Sequence, residues 1–116
     1  MGSEMCIRDR NNNIDTQNWK KKLSENPDAI CIDVRTPNEY NEYHISNSIN
    51  IDIYDPQGFM KKINEFDLSK SYFIYCKSGK RSQMACEIMQ QYGFNKLFNL
   101  EGGIEDWMEK GNDTVK

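Results

Sequence analysis

Apolar positions in this chain gather into short β-branched runs separated by stretches of helical period. AICIDV at 29–34 is continuous and β-branched, the pattern of a strand buried on both faces. SINI at 48–51, SYFIYC at 71–76 and KLFNL at 96–100 read as the further strands. Between the strands, Trp19 and Leu23 share one face of a short helix that Asp15 or Thr16 can cap. PQGFMKKINEF at 56–66 predicts a second helix. Ala85, Ile88, Met89 and Tyr92 recur at helical spacing in 81–92, which Gly93 stops. Ile104, Trp107 and Met108 line one face of a last helix ended by Gly111. TPNEY at 36–40 is a helix start in its own right. Thr36 is the cap, Pro37 fills the first position, and Glu39 completes a capping box. Strands alternating with helices predict an α/β fold, a parallel sheet covered on both faces. Residues 11–14 read as a polar linker, 15–113 as the domain and 114–116 as a tail.

Composition narrows the function classes. A chain of 116 residues fits one domain and needs no staple. A net charge of −3 argues against nucleic acid or a membrane surface as partner. No apolar run approaches the length of a membrane span. Cysteines stand at 6, 31, 76 and 86, with no pair at C-x-x-C spacing. They predict free thiols in a reducing compartment, the cytoplasm, rather than a disulfide framework. No cluster of His, Cys or carboxylates has metal-ligand spacing, and no cofactor is expected.

The first ten residues, MGSEMCIRDR, read differently from the rest. Back-translated, they match the end of a transposase adapter used in short-read sequencing, so residues 1–10 are expected to be a sequencing scar. On that reading Cys6 is not native. The natural start then lies outside the chain, which leaves the periplasm as the alternative compartment. Beyond residue 10 the only arginines are Arg35 and Arg81, against a background of lysines and an Asn- and Ile-rich, AT-biased composition. Arginine supplies a planar fork that lysine cannot replace, so each of the two invites a specific role. The lysine run at 20–22, bracketed by Trp19 and Leu23, reads as a solvated helix face.

The chemistry concentrates in FIYCKSGKRSQMACEIM, residues 73–89. Cys76 ends an apolar strand, and the loop KSGKR leads from it into a helix. Ligands in open parallel sheets bind at the carboxyl ends of strands. Gly79 allows a tight turn whose N–H groups can point at the sulfur, and a helix N-terminus adds partial positive charge. Lys77, Lys80 and Arg81 add formal cations. All of these favour a thiolate and hold an anion against it. A buried, inert cysteine beside a solvated loop would explain neither the cations nor the strand–loop–helix context.

CKSGKRS resembles the active-site loop of single-domain rhodanese-like sulfurtransferases. IDVRTPNEY resembles the family's first signature, with Asp33, Arg35, Glu39 and Tyr40 in place. HISNSINI resembles the second, usually GHIPGAINI, and NLEGGIEDW the closing one. The four signatures, in order, span about residues 15–113. The resemblance implies a three-layer fold with a central, mostly parallel five-stranded sheet. It implies that Cys76 is the nucleophile, taking a sulfane sulfur from thiosulfate or another donor and passing it to a thiol, a protein acceptor or cyanide. The N–H groups of 77–81 would stabilise charge on sulfur; Lys77, Ser78, Gly79, Lys80, Arg81 and Ser82 would bind the small anionic donor. Ser82 is expected to cap the helix and donate to the sulfur.

Asp33, Arg35 and Glu39 are expected to form a supporting network behind the site's edge. His44, in a turn signature, is read as structural, and Cys31 and Cys86 as packing. Tyr43 and Asn47 replace the second signature's glycines and Ser48 its alanine; Asn tolerates positive φ, whereas Tyr43 puts the local turn in question. Related phosphatases and arsenate reductases place five residues between Cys and Arg. Here four, Lys77 to Lys80, separate Cys76 from Arg81, which favours sulfur over phosphate. A sulfur carrier and a non-catalytic interaction module stay open as alternatives.

Overall fold

The structure, a computed structural model, describes residues 12–116; the expected adapter segment, with Cys6, lies outside the described residues. In chain order the elements are β1 (Asn13–Ile14), α1 (Thr16–Ser24), β2 (Ile30–Asp33), α2 (Pro37–Glu42), β3 (Ser48–Asn50), α3 (Pro56–Ile63), β4 (Tyr72–Tyr75), α4 (Lys80–Gln91), β5 (Leu97–Leu100) and α5 (Gly103–Glu109). The five strands form one sheet in the order β1-β5-β4-β2-β3, every pair parallel. β4 lies at its centre, so all four of its residues are buried.

Period-two alternation splits the core into two layers. Tyr72, Ile74 and Cys76 pack with Phe59 and Ile63 of α3 and with Ala85, Cys86 and Met89 of α4. Phe73 and Tyr75 face the other way, onto Trp19 of α1 and Ile104 and Trp107 of α5. Trp19 anchors that second layer: its ring meets Phe73, Tyr75 and Trp107 edge-on at 5.7, 6.2 and 5.8 Å, and its indole N–H donates to the Phe98 carbonyl. The three-layer α/β sandwich expected from the alternation is thus the one observed.

Local signals hold where capping chemistry dictates them. Asp15 caps α1 by accepting from the Asn18 N–H. Thr36 and Glu39 form the complete capping box of α2, with Pro37 at its first turn. The second signature also resolves. Asn47 takes φ 68°, the left-handed turn its glycine-like position requires. Tyr43 sits at φ −169°, ordinary extended backbone, so no glycine is needed there.

Two expectations are corrected. Asn13 and Ile14, read as linker, form the edge strand β1, held to β5 by Asn99 N–H to Asn12 O and Glu101 N–H to Ile14 O. A two-residue strand is too short to show a period, and the long-range ladder alone creates it. Tyr92, assigned to the buried face of α4, is 53% exposed; Cys86 occupies that face instead. The tail also pairs, through an antiparallel bridge between Val115 and His44. Among the described residues no helix is long and apolar enough to cross a membrane.

Candidate functional site

Cys76 is the first residue past the carboxyl end of β4, and its side chain is almost wholly buried. Its Sγ accepts the Gly79 N–H at 3.1 Å, the Ser82 N–H at 3.4 Å and the Ser82 hydroxyl at 3.4 Å. Gly79 makes this possible. It takes φ 101°, and a Cβ there would lie 2.1 Å from the Glu101 carbonyl oxygen. Gly79 is also the N-cap of the twelve-residue α4, so the sulfur rests at the positive end of that helix.

The closing signature forms the loop's floor. The Ile104 N–H donates to Cys76 O at 2.9 Å and the Glu105 N–H to Lys77 O at 3.2 Å. Gly103 permits this approach, since a Cβ at its φ of 68° would meet Lys77 O at 2.1 Å. Two loop carbonyls are thereby tied back to α5, which leaves the N–H groups of Gly79 and Ser82 turned toward sulfur.

The cations are distributed unequally. Lys77 and Lys80 are exposed, and Lys77 Nζ stands 3.9 Å from Glu105 with both side chains more than half in solvent, a weak pair. Arg81 is engaged: Nη1 and Nη2 donate to Glu39 Oε1 and Oε2 at 2.8 and 3.1 Å, and its guanidinium lies 5.4 Å from the Tyr54 ring. The Arg81 bond foremost, working against the cost of burial and helped by the Thr36 N–H and hydroxyl, holds the Glu39 carboxyl down to about 2. Within the expected supporting network, the hydrogen bonds of Glu39 run to Arg81 and Thr36, and not to Arg35. Ser82 does not cap α4, because Gly79 holds that position; its hydroxyl lies 3.4 Å from the sulfur and 3.2 Å from Gly79 O, and its single proton serves one of the two at a time.

Asp33 and Arg35 form a separate, fully buried pair. Arg35 donates from its backbone N–H, Nε and Nη2 to the Asp33 carboxylate, and from Nη2 to Tyr43 O at 2.7 Å. Its guanidinium lies between the Tyr43 and Tyr75 rings at 5.5 and 5.8 Å. Asn50 Nδ2 donates to the carbonyls of Asp33 and Arg35, which fastens β3 to this pair. His44 stacks on Tyr40 at 3.8 Å, with Nδ1 2.8 Å from Tyr40 O. Burial foremost, then the Asp33 charge, pushes the Cys31 thiol far up; burial and then Glu87 do the same to Cys86. Among the described residues no group of three or more His, Cys, Asp or Glu is placed to hold a metal.

Sequence reasoning missed Tyr54 and Asn99. Tyr54 left no signal, lying between elements. Asn99 did: it is the one polar residue in LFNL, and it is buried.

A strand-end cysteine cradled by a glycine turn on an all-parallel sheet defines a class, and comparison with known proteins agrees. The rhodanese-like domain family profile matches residues 16–110, and the chain belongs to that family. It is similar to a protein named sulfurtransferase from Allochromatium vinosum, 30% identical over 105 residues, 90% of this chain and 94% of that protein. It is 34% identical over 99 residues to the thiosulfate:glutathione sulfurtransferase of Saccharomyces cerevisiae, covering 77% and 71% of the two chains. Among solved structures, a rhodanese-related protein from Thermoplasma volcanium matches with a TM-score of 0.76 and 32% identity, over 89% of this chain and 96% of that one.

Proposed function

We propose that the chain is a sulfurtransferase that carries a sulfane sulfur on Cys76. The observation that supports this best is the sulfur's surroundings: two backbone N–H groups and the Ser82 hydroxyl lie within hydrogen-bond reach of Sγ, while the loop's arginine is turned to Glu39. The four residues between Cys76 and Arg81, one fewer than in the related phosphatases, weigh against phosphatase chemistry.

In the first step the Cys76 thiolate attacks the outer sulfur of thiosulfate or a persulfide donor. A new S–S bond forms, the donor's S–S bond breaks, and the leaving group, sulfite or a thiolate, departs with the electron pair. The resulting Cys76 persulfide carries its charge on the terminal sulfur. The Gly79 and Ser82 N–H groups and the Ser82 hydroxyl stabilise charge on sulfur, as an oxyanion hole does on oxygen. Exposed Lys77 and Lys80 draw the anionic donor in, and Arg81 acts chiefly by bracing the loop against α2. In the second step an acceptor thiolate, on a small molecule or a protein, or cyanide attacks the terminal sulfur. Cys76 leaves as the thiolate, and the cycle closes without net oxidation or reduction of the protein.

Thiocyanate formation from thiosulfate and cyanide tests the reading. Turnover proportional to protein and lost in Cys76→Ser is expected. Turnover that survives in Cys76→Ser would refute it. No thiocyanate but rapid exchange with a protein thiol would identify a carrier instead.

A further inference from the structure

We infer that Asn99 is a positioning residue for the sulfur site: its side-chain amide pins the Gly79 carbonyl and so keeps the Gly79 and Ser82 donors aimed at Cys76. The inference rests on the sulfur-transfer reading and deepens it.

Asn99 lies in β5 between Phe98 and Leu100 and is 1% exposed. Its Nδ2 donates to Gly79 O at 3.2 Å and to Asn13 Oδ1 at 2.6 Å. The Gly79 carbonyl can only accept, so it fixes which end of the amide faces the loop. Oδ1 is then left buried with no partner among the described residues. An orphan acceptor in the interior is a cost that an apolar strand residue would avoid. What the amide gains in return lies on its nitrogen side, at the loop and at β1.

Gly79 is the pivot of the loop. Its N–H makes the shortest hydrogen bond to Cys76 Sγ, and its carbonyl accepts the Gln83 N–H at 3.1 Å and the Asn99 amide, and the Ser82 hydroxyl whenever that proton is not on sulfur. Gln83 and Ser82 belong to the helix that Gly79 itself starts, and they move with it. Asn99 is the donor that comes from the sheet. The N–H and the carbonyl of Gly79 sit on successive peptide planes joined by the most permissive residue type. Without an anchor on the carbonyl, those planes can turn and the whole cap can shift against β4. Asn99 ties them to the same sheet that holds Cys76, a condition for donors that must be in place before charge moves.

The test uses the full chain and Asn99→Leu, with Asn99→Ser as a smaller second variant too short to reach Gly79 O, and Asn13→Ala to remove the side-chain acceptor that Asn99 meets on β1. The first readout is the rate of Cys76 alkylation by iodoacetamide across pH, located by peptide mass. The second is the rate of sulfur gain from thiosulfate. In whichever Asn99 variant keeps a cooperative melt, half-maximal alkylation moves to higher pH. Sulfur gain slows about 3- to 10-fold, the loss of roughly one donor's alignment, while half-saturation by thiosulfate stays within about twofold. Asn13→Ala leaves both readouts near the unmodified chain. A folded Asn99 variant with an unchanged alkylation profile would overturn the role. So would Asn13→Ala reproducing the whole effect, since the amide would then act through β1. If the unmodified chain takes no sulfur at all, the function reading fails, while the alkylation profiles still decide the role of Asn99.

Discussion

Cys76 and Cys86 are two thiols of one core layer, 1% and 0% exposed, yet their surroundings differ in kind. Cys86 lies in the middle of α4, beyond the first turn whose N–H groups lack helical partners. Burial first, then Glu87 and Cys76, pushes its thiol far above the ordinary range. Cys76 lies at the same helix's start, where N–H groups have no helical partner, and two of them with one hydroxyl meet its sulfur. Depth is the same, and the difference is access to unspent backbone donors. On the sulfur-transfer reading, what sets Cys76 apart is where the chain places it relative to a helix end, and not its depth.

The sharpest way to break this contrast is at the turn that creates it. Gly79→Ala forces a Cβ against Glu101 O and strains a positive φ. Sulfur transfer is expected to fall at least about 100-fold, the scale of losing aligned donors, and stability by about 2–4 kcal/mol. Turnover and denaturant melts of the variant check both numbers. A variant that melts lower but transfers sulfur at the original rate would mean that the donors are not needed.

The opposite perturbation sharpens the contrast. Cys86→Ala removes the packed sulfur and is expected to cost about 1–2 kcal/mol through a small cavity, with transfer within about twofold of the unmodified chain. Urea melts and turnover measured side by side check it. A large loss of transfer would make Cys86 part of the chemistry.

The smallest effect concerns the brace around the loop. Glu39 has its carboxyl depressed from 4.5 to about 2 by the Arg81 bond. A depressed acid stabilises the fold above its unfolded value and loses that contribution as pH falls through the folded one. The unmodified chain should therefore lose stability from this group between about pH 4.5 and pH 2. Glu39→Gln should flatten that part of the curve and cost about 1 kcal/mol at pH 7, allowing for the partial exposure of both partners. Melts across pH, with and without the substitution, give the comparison directly.

Much of this was legible in the chain. Thr36, Pro37 and Glu39 act within four residues of one another, and their capping box forms as local chemistry requires. The strand–loop–helix around Cys76 could be read because an apolar, aromatic-rich run, a glycine and a helical period follow in order. What escaped depends on distant partners. Glu39 is 42 positions from Arg81, and nothing local distinguishes that bond from one to Arg35. β1 exists only because β5 offers an edge. Ser82 looked like a cap because serine commonly is one, but Gly79 starts the helix three residues earlier and frees the hydroxyl for sulfur. Asn99 was passed over: it is a polar break in an apolar strand, a signal whose meaning appears only once the loop lies beside it.

The measurement to make first is the intact mass of the chain after incubation with thiosulfate, beside Cys76→Ser. Gain of one sulfur atom, reversed by cyanide or a reducing thiol and absent in the variant, is the expected result. Gain of sulfur that persists in Cys76→Ser, or none with thiosulfate or any persulfide donor, would contradict the claim that this loop builds a sulfur-carrying thiol.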